Sequence, residues 1–223
     1  MTMGPRSEIL GVVLAGGRSS RYGSDKAFAD LGGVSLVRRA SRTLGAVAGR
    51  IVVVANDLAR HATEGLAVRP DLVPGIGPLG GLHTGLAWAA EEGLLGAIVL
   101  ATDMPFVPAS LLGEVIGRLG PGVAAVPASS GPRGFEPLCA AYDVGCLPAV
   151  QAAVDRNDRA VVSFFRDVQV HVVDLKDVSA HGDPDTMFFN VNRPEDHLRA
   201  DMLLEELRAA EAGPNQESRT EEE

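Results

Sequence analysis

Short runs rich in Val, Ile and Leu alternate along this chain with longer segments of helical period. The runs begin with Ile9 to Leu14, Ile51 to Ala55 and Ala97 to Ala101. Between the first two, Ser35 to Ala46 sets Leu36, Val37, Ala40 and Leu44 on one helical face, followed by Val47. Strands joined through helices pair in parallel, so the pattern predicts an α/β protein, three layers α/β/α around a mostly parallel sheet. Ala97 to Ala101 is apolar throughout, which places it centrally in that sheet. Ligands of such sheets lie beyond the carboxyl ends of the strands where the strand order reverses. The loops after Leu14 and Ala101 are therefore expected to share one crevice.

The remaining elements fit the same scheme. A short helix and a strand at Leu66 to Val68 lead into a Pro/Gly loop, Pro70 to Gly81, and a helix ending near Ala90. Thr102-Asp103-Met104-Pro105 stops the third apolar run with a carboxylate, and Pro108 restarts the chain as a helix through Leu119. Beyond it lie a strand near Val123 to Val126, a Ser/Gly turn, the segment Phe135 to Tyr142, and a helix from Leu147 to Asp155. Further pieces at Ala160 to Phe165, Val170 to Leu175 and Phe188 to Val191 precede a closing helix from Pro194 to Ala210. A single domain over residues 1–210 is expected, because 223 residues suffice for one buried core and fall short of two comfortable ones. Residues 211–223 carry five Glu against one Arg and are expected to be a disordered acidic tail.

Composition narrows the function classes. A net charge of −9, about −5 without the tail, and 4% aromatic residues argue against nucleic acid as a partner. No stretch approaches the roughly 20 apolar residues that span a bilayer, and Ile9 to Gly17 lacks the basic leader of a signal peptide. Cys139 and Cys146 form no CxxC pair, and His61, His83, His171, His181 and His197 stand at no ligand spacing. A reducing cytoplasm is the expected compartment.

Chemistry concentrates in Leu14-Ala15-Gly16-Gly17-Arg18-Ser19-Ser20-Arg21-Tyr22-Gly23-Ser24-Asp25-Lys26. Glycines let a backbone turn tightly and present N–H groups to a polyphosphate. Arg21 and Lys26 add full positive charges, one as a planar fork and one as a point charge. The spacing is neither that of a GxxxxGK[ST] loop nor of GxGxxG. Two readings stand on these residues alone, an anion site and a solvated loop with ordinary surface cations. Asp103 likewise reads either as a metal carboxylate at a strand end or as the cap of the helix near Pro108.

The segment resembles the LAGGxSxRMGxDK signature of the molybdenum cofactor guanylyltransferases, with Tyr22 in place of Met. The resemblance continues through Val54-Ala55-Asn56, Pro70-Asp71, Gly77-Pro78-Leu79-Gly80-Gly81, Thr102-Asp103-Met104-Pro105, Glu136-Pro137-Leu138-Cys139 and Asn190-Val191-Asn192-Arg193-Pro194-Glu195-Asp196. It implies a Rossmann-like nucleotidyltransferase fold, with a nucleotide-binding half over about 8–120 and an acceptor half over about 121–210. It further implies that Leu14, Ala15, Gly16, Gly17 and Lys26 hold the nucleotide, with Asn56 and Asp71 nearer its base and sugar. Arg21 would face the phosphates and Asp103 would hold Mg²⁺. Asn190 and Asn192 either complete that shell, contact the acceptor, or simply form the turn before Pro194.

The activity so implied is GMP transfer from GTP to the terminal phosphate of molybdopterin, with pyrophosphate leaving and no side-chain nucleophile. Other molybdenum-cofactor biosynthesis proteins or molybdoenzymes are the partners such a role suggests. The alternatives are the cytidylyltransferase of the same pathway, whose fingerprint resembles LAAG, a sugar-phosphate nucleotidyltransferase, and a nucleotide-binding regulator without catalysis. Arg21, Lys26 and Asp103 together favour an enzyme, since a binder has little need of a metal carboxylate.

Overall fold

The computed structural model describes residues 6–15, 26–58 and 65–212. One seven-stranded sheet runs in the order β5-β4-β1-β6-β8-β7-β9. Its strands are β1 (Arg6–Leu14), β4 (Ala48–Val54), β5 (Val68–Arg69), β6 (Gly96–Ala101), β7 (Val123–Pro127), β8 (Cys139–Asp143) and β9 (Gln169–Val173). A small antiparallel hairpin, β2 (Asp30–Leu31) and β3 (Val34–Ser35), lies outside this sheet. The α-helices described over their whole length are α1 (Leu36–Gly45), α2 (Pro78–Glu91), α3 (Ala109–Gly117), α4 (Leu147–Asp155), α5 (Leu175–Ser179), α6 (Pro184–Met187) and α7 (Pro194–Ala212).

β1 pairs in parallel with β4 on one side and β6 on the other. The chain leaves β1 toward β4 and β5, then crosses back through α2 to β6, so strand order reverses at β1. β8 is the exception to parallel pairing. It lies antiparallel between β6 and β7, because the turn from β7 into it is too short for a crossover helix. All of β6 is buried, as its unbroken apolar run predicts.

Alternate residues of each strand feed opposite faces. Val13, Val53, Ile98 and Leu100 meet Val37, Ala40 and Leu44 of α1 and Leu111 and Val115 of α3. Val12, Val52, Ala97 and Val99 meet Leu82 and Leu86 of α2 and Val150 and Ala153 of α4. The three-layer α/β/α architecture follows directly. A third cluster joins Ala200 of α7 to Leu31 of β2 and Leu36 of α1, with Val191 beneath. The last helix thus folds back onto the first third of the chain.

Helix α2 lies unusually close to β1. A Cβ at Gly85 would stand 2.8 Å from Val12 Cγ2, and one at Gly81 would stand 2.7 Å from Leu14 Cδ2. The two glycines sit one turn apart on the buried face, so backbone fits where side chains cannot.

Several boundaries differ from the sequence reading. The loop expected over Pro70 to Gly81 ends at Gly77, whose φ of +75° suits glycine, and Pro78 to Gly81 form the first turn of α2. Phe135 to Tyr142 yields a strand only from Cys139, with Phe135 bridging back to Ala128. The closing helix extends to Ala212, two residues into the expected tail, while residues 213–223 lie outside the described residues. No helix among the described residues is long and apolar enough to cross a membrane.

Candidate active site

Every strand of the large sheet except β8 ends at the same edge, where the segments after β4, β5, β6 and β7 gather beside Ala15 and the entry into β8. At its centre Ala15 N donates to Val54 O (3.1 Å) and Thr102 N donates to Leu14 O (3.3 Å), extending the ladders one residue past the strands. Leu14 and Ala15 are each 8% exposed, so they form the floor of this edge.

Asp103 stands in the turn after β6. Its backbone oxygen accepts from Val191 N (2.9 Å), and its side-chain Oδ2 accepts from Lys26 Nζ (3.2 Å). Lys26 Nζ also donates to Asn192 Oδ1 at 2.8 Å. Three segments far apart in sequence thereby meet at one ammonium group. Lys26 opens a one-turn 3₁₀ helix, Lys26–Phe28, pinned to the core by Ala27. Asn192 is held by Asp196, whose Oδ2 accepts from the backbone N–H groups of Asn192 and Arg193, both at 2.8 Å. Asp196 therefore serves the start of α7 and fixes Asn192 beside Lys26.

Asp103 Oδ1 is buried and has no hydrogen-bond partner among the described residues. The capping reading of Asp103 does not hold: the N-cap of α3 is Pro108, with no side-chain cap. A buried carboxylate oxygen without a donor is costly unless a ligand completes it. Among the described residues no group of three or more His, Cys, Asp or Glu is placed to hold a metal. A single carboxylate such as Asp103 suits a cation that shares its shell with substrate phosphates.

A second pair lies two strands from β1. Asn56 Nδ2 donates to Asp71 Oδ2 at 3.0 Å, joining the ends of β4 and β5. Burial pushes the Asp71 carboxyl above its usual range, and the Asn56 hydrogen bond draws it partly back. Thr84 of α2 supports this loop: its hydroxyl accepts from Leu72 N (2.9 Å) and donates to Gly80 O (2.9 Å). By strand spacing Asp71 stands about 14 Å from Asp103 along the edge.

The structure thus brings Lys26, Asp103 and Asn192 together, and Asn56 and Asp71 together. Asn190 is turned to its own segment, donating from Nδ2 to Phe188 O (2.9 Å). Gly16, Gly17 and Arg21 lie outside the described residues. Thr84 and Asp196 were assigned nothing from sequence. Asp196 was legible in principle, since an Asp inside the first turn after an Asn-Arg-Pro step is a common helix-start arrangement. Thr84 was not, because its partner is the backbone of a separate loop. Cys139 sits at this edge but is fully buried, and burial pushes its thiol well above the usual range, while Cys146 is pushed up to about 12. Neither is a nucleophile.

A family model described as the MobA-like NTP transferase domain matches residues 11–172. The chain is 33% identical over 201 residues to the probable molybdenum cofactor guanylyltransferase of Pelotomaculum thermopropionicum, covering 90% of this chain and 96% of that one. It is 36% identical over 210 residues to the molybdenum cofactor guanylyltransferase of Mesorhizobium japonicum, covering 91% and 99%. The crystal structure of molybdopterin-guanine dinucleotide biosynthesis protein A from Archaeoglobus fulgidus superposes with a TM-score of 0.71 at 23% identity, covering 88% of this chain and 99% of that one, which shows the shared fold. The chain belongs to the MobA-like nucleotidyltransferase family, among relatives named molybdenum cofactor guanylyltransferases.

Proposed function

We propose that this protein transfers GMP from GTP to the terminal phosphate of molybdopterin and releases pyrophosphate. The observation that carries the proposal is the meeting of Lys26, Asp103 and Asn192 at the carboxyl edge of β1 and β6, in a chain whose relatives carry that name. An oxygen of the acceptor phosphate attacks the α-phosphorus in line, and the bond from that phosphorus to the β-bridging oxygen breaks. The acceptor is already an anion at neutral pH, so no side-chain base is needed and catalysis consists of positioning and charge neutralisation.

In this proposal Leu14, Ala15, Gly16 and Gly17 line the nucleotide. Lys26 and Arg21 neutralise the triphosphate. Asn192 holds Lys26 in place, while Asn190, bonded to Phe188 O, fits the turn before Pro194. The buried Oδ1 of Asp103, without a donor among the described residues, fits a divalent cation, and Asp103 is the residue that would hold Mg²⁺. When bound, such an ion supplies charge neutralisation on the phosphoryl oxygens. Asp71, steadied by Asn56, accepts hydrogen bonds from the base. Guanine offers N1–H and the 2-amino group as adjacent donors, and Asp71 retains lone pairs beyond the one Asn56 uses. Cytosine, with an acceptor at N3, cannot make that pair. The functional division into a nucleotide half over 8–120 and an acceptor half over 121–210, in one domain of the cytoplasm, belongs to the same proposal.

The test is pyrophosphate release with molybdopterin as acceptor and GTP, CTP or ATP as donor. GTP should be used in strong preference. Equal use of CTP overturns the guanylyltransferase reading, and binding of GTP without release overturns the enzymatic one.

A further inference from the structure

Glu136 lies on the opposite side of Asp103 from Asp71. The chain runs from β7 into β8 through residues 128–138 at the site edge, and Leu138 O accepts from Ala101 N at 2.9 Å. Glu136 therefore enters beside the end of β6, next to the turn that carries Asp103. Its backbone is clamped on both sides: Glu136 N donates to Pro127 O (3.0 Å) and Cys139 N donates to Glu136 O (3.2 Å). Pro137 O in turn accepts from the buried Tyr142 hydroxyl at 2.6 Å. At the side chain, Oε1 accepts from Ser129 Oγ at 3.0 Å, and a Cβ at Gly131 would press to 3.3 Å from the same oxygen. One carboxylate oxygen is thus fixed and enclosed. Oε2 has no hydrogen-bond donor among the described residues.

Burial pushes this carboxyl above its usual range. The Ser129 hydrogen bond and Arg133 draw it down, and Asp103 pushes it up. A half-buried carboxylate held by a single hydroxyl is best completed by further donors in its bound state. Ionised phosphate is itself an acceptor and offers none. A neutral heterocycle with two adjacent N–H donors provides them well.

We infer that Glu136, oriented by Ser129, binds the pyrimidine edge of a pterin: its adjacent N3–H and 2-amino group donate to the Glu136 carboxylate. The edge carries two carboxylates for two heterocycles with the same donor pair, Asp71 for the nucleotide base and Glu136 for the acceptor ring, with Asp103 between them. The inference rests on the proposed acceptor being molybdopterin, whose ring is a pterin.

The test uses the full chain and two fluorescent probes, pterin and lumazine, the latter carrying a carbonyl in place of the 2-amino group. Equilibrium binding is followed by probe fluorescence. The wild type should bind the pterin about 10-fold or more tighter than lumazine. Glu136→Gln should lose that preference while its GTP affinity and melting temperature stay at wild-type values. Ser129→Ala should weaken the preference partially, because the carboxylate remains but is less well held. Asp71→Asn should leave it intact. Equal wild-type affinity for the two probes, or a Glu136→Gln protein that still discriminates, overturns the inference. An equal loss of GTP and pterin binding in Glu136→Gln overturns it too, by assigning Glu136 a merely structural role. Because this assay involves no transfer, it is separate from the donor comparison: pterin discrimination without GMP transfer would overturn the guanylyltransferase reading alone.

Discussion

Lys26 and Asp103, 77 residues apart, share a hydrogen-bonded ion pair of 3.2 Å with side chains only 15% and 27% exposed. Without nucleotide the carboxylate neutralises the lysine, and Asn192 keeps its Nζ in place. In the proposed function an incoming triphosphate would meet a cation already positioned rather than one recruited from solvent, which would save side-chain ordering at the moment of binding. Lys26→Ala should reduce kcat/KM for GTP by about 100-fold and shift the melting temperature little. A purely stability-related change, with kcat/KM preserved, would assign Lys26 to an ordinary surface pair.

Asp103→Asn tests the other partner. The amide retains an acceptor for Lys26 but not the anionic Oδ1 that lacks a partner among the described residues. Metal-dependent pyrophosphate release should fall by at least about 100-fold, with unchanged circular dichroism, because the Asp103 backbone contact to Val191 N does not involve the side chain. Turnover near the wild-type rate would remove Asp103 from the metal site.

For Asp71 two measurements are coupled. Wild type should prefer GTP over CTP by roughly 10⁴, and Asp71→Asn should lose much of that preference while keeping Asp103-dependent chemistry. Unchanged selectivity would reassign Asp71, with ribose contact the alternative. The same variant reports on linkage. Burial raises the folded-state carboxyl, so Asp71 contributes stability that is fully present below its unfolded pKa and lost as pH rises through the raised folded value. Asp71→Asn cannot titrate. Its melting temperature should therefore gain on the wild type between about pH 3 and pH 7, a trend read by thermal melts across that range.

Gly85→Ala isolates the seam between α2 and β1. In an exposed helix this change stabilises by about 1 kcal/mol. Here the new methyl would meet both methyls of Val12, at 2.8 and 3.0 Å, and a β-branched side chain buried in a strand has little room to rotate. The variant should instead lose about 1–3 kcal/mol in denaturant unfolding. A gain in stability would show that α2 can lift off the sheet.

Periodicity determined the layers, because an apolar run of strand length and an apolar stripe of helical spacing each dictate what must be buried, whatever the partner. Thus Ala97 to Ala101 read as central and Leu36, Val37, Ala40 and Leu44 as one face, and both hold. The edge where the parallel strands end was legible for the same reason: such strands end together, and polar residues such as Asn56, Asp71 and Asp103 stop each run. Which of those residues touch was decided only by tertiary structure. The Asn192 contact to Lys26 spans 166 residues and depends on α7 packing against Leu31 and Leu36, a docking whose partners are too far apart to leave a local pattern. The reversal of β8, the enclosure of Glu136 by Ser129 and Gly131, and the closeness of α2 to β1 are likewise matters of steric fit between distant segments. Local spacing fixes what a residue can bury or bond, and the packing of the whole chain selects its partner.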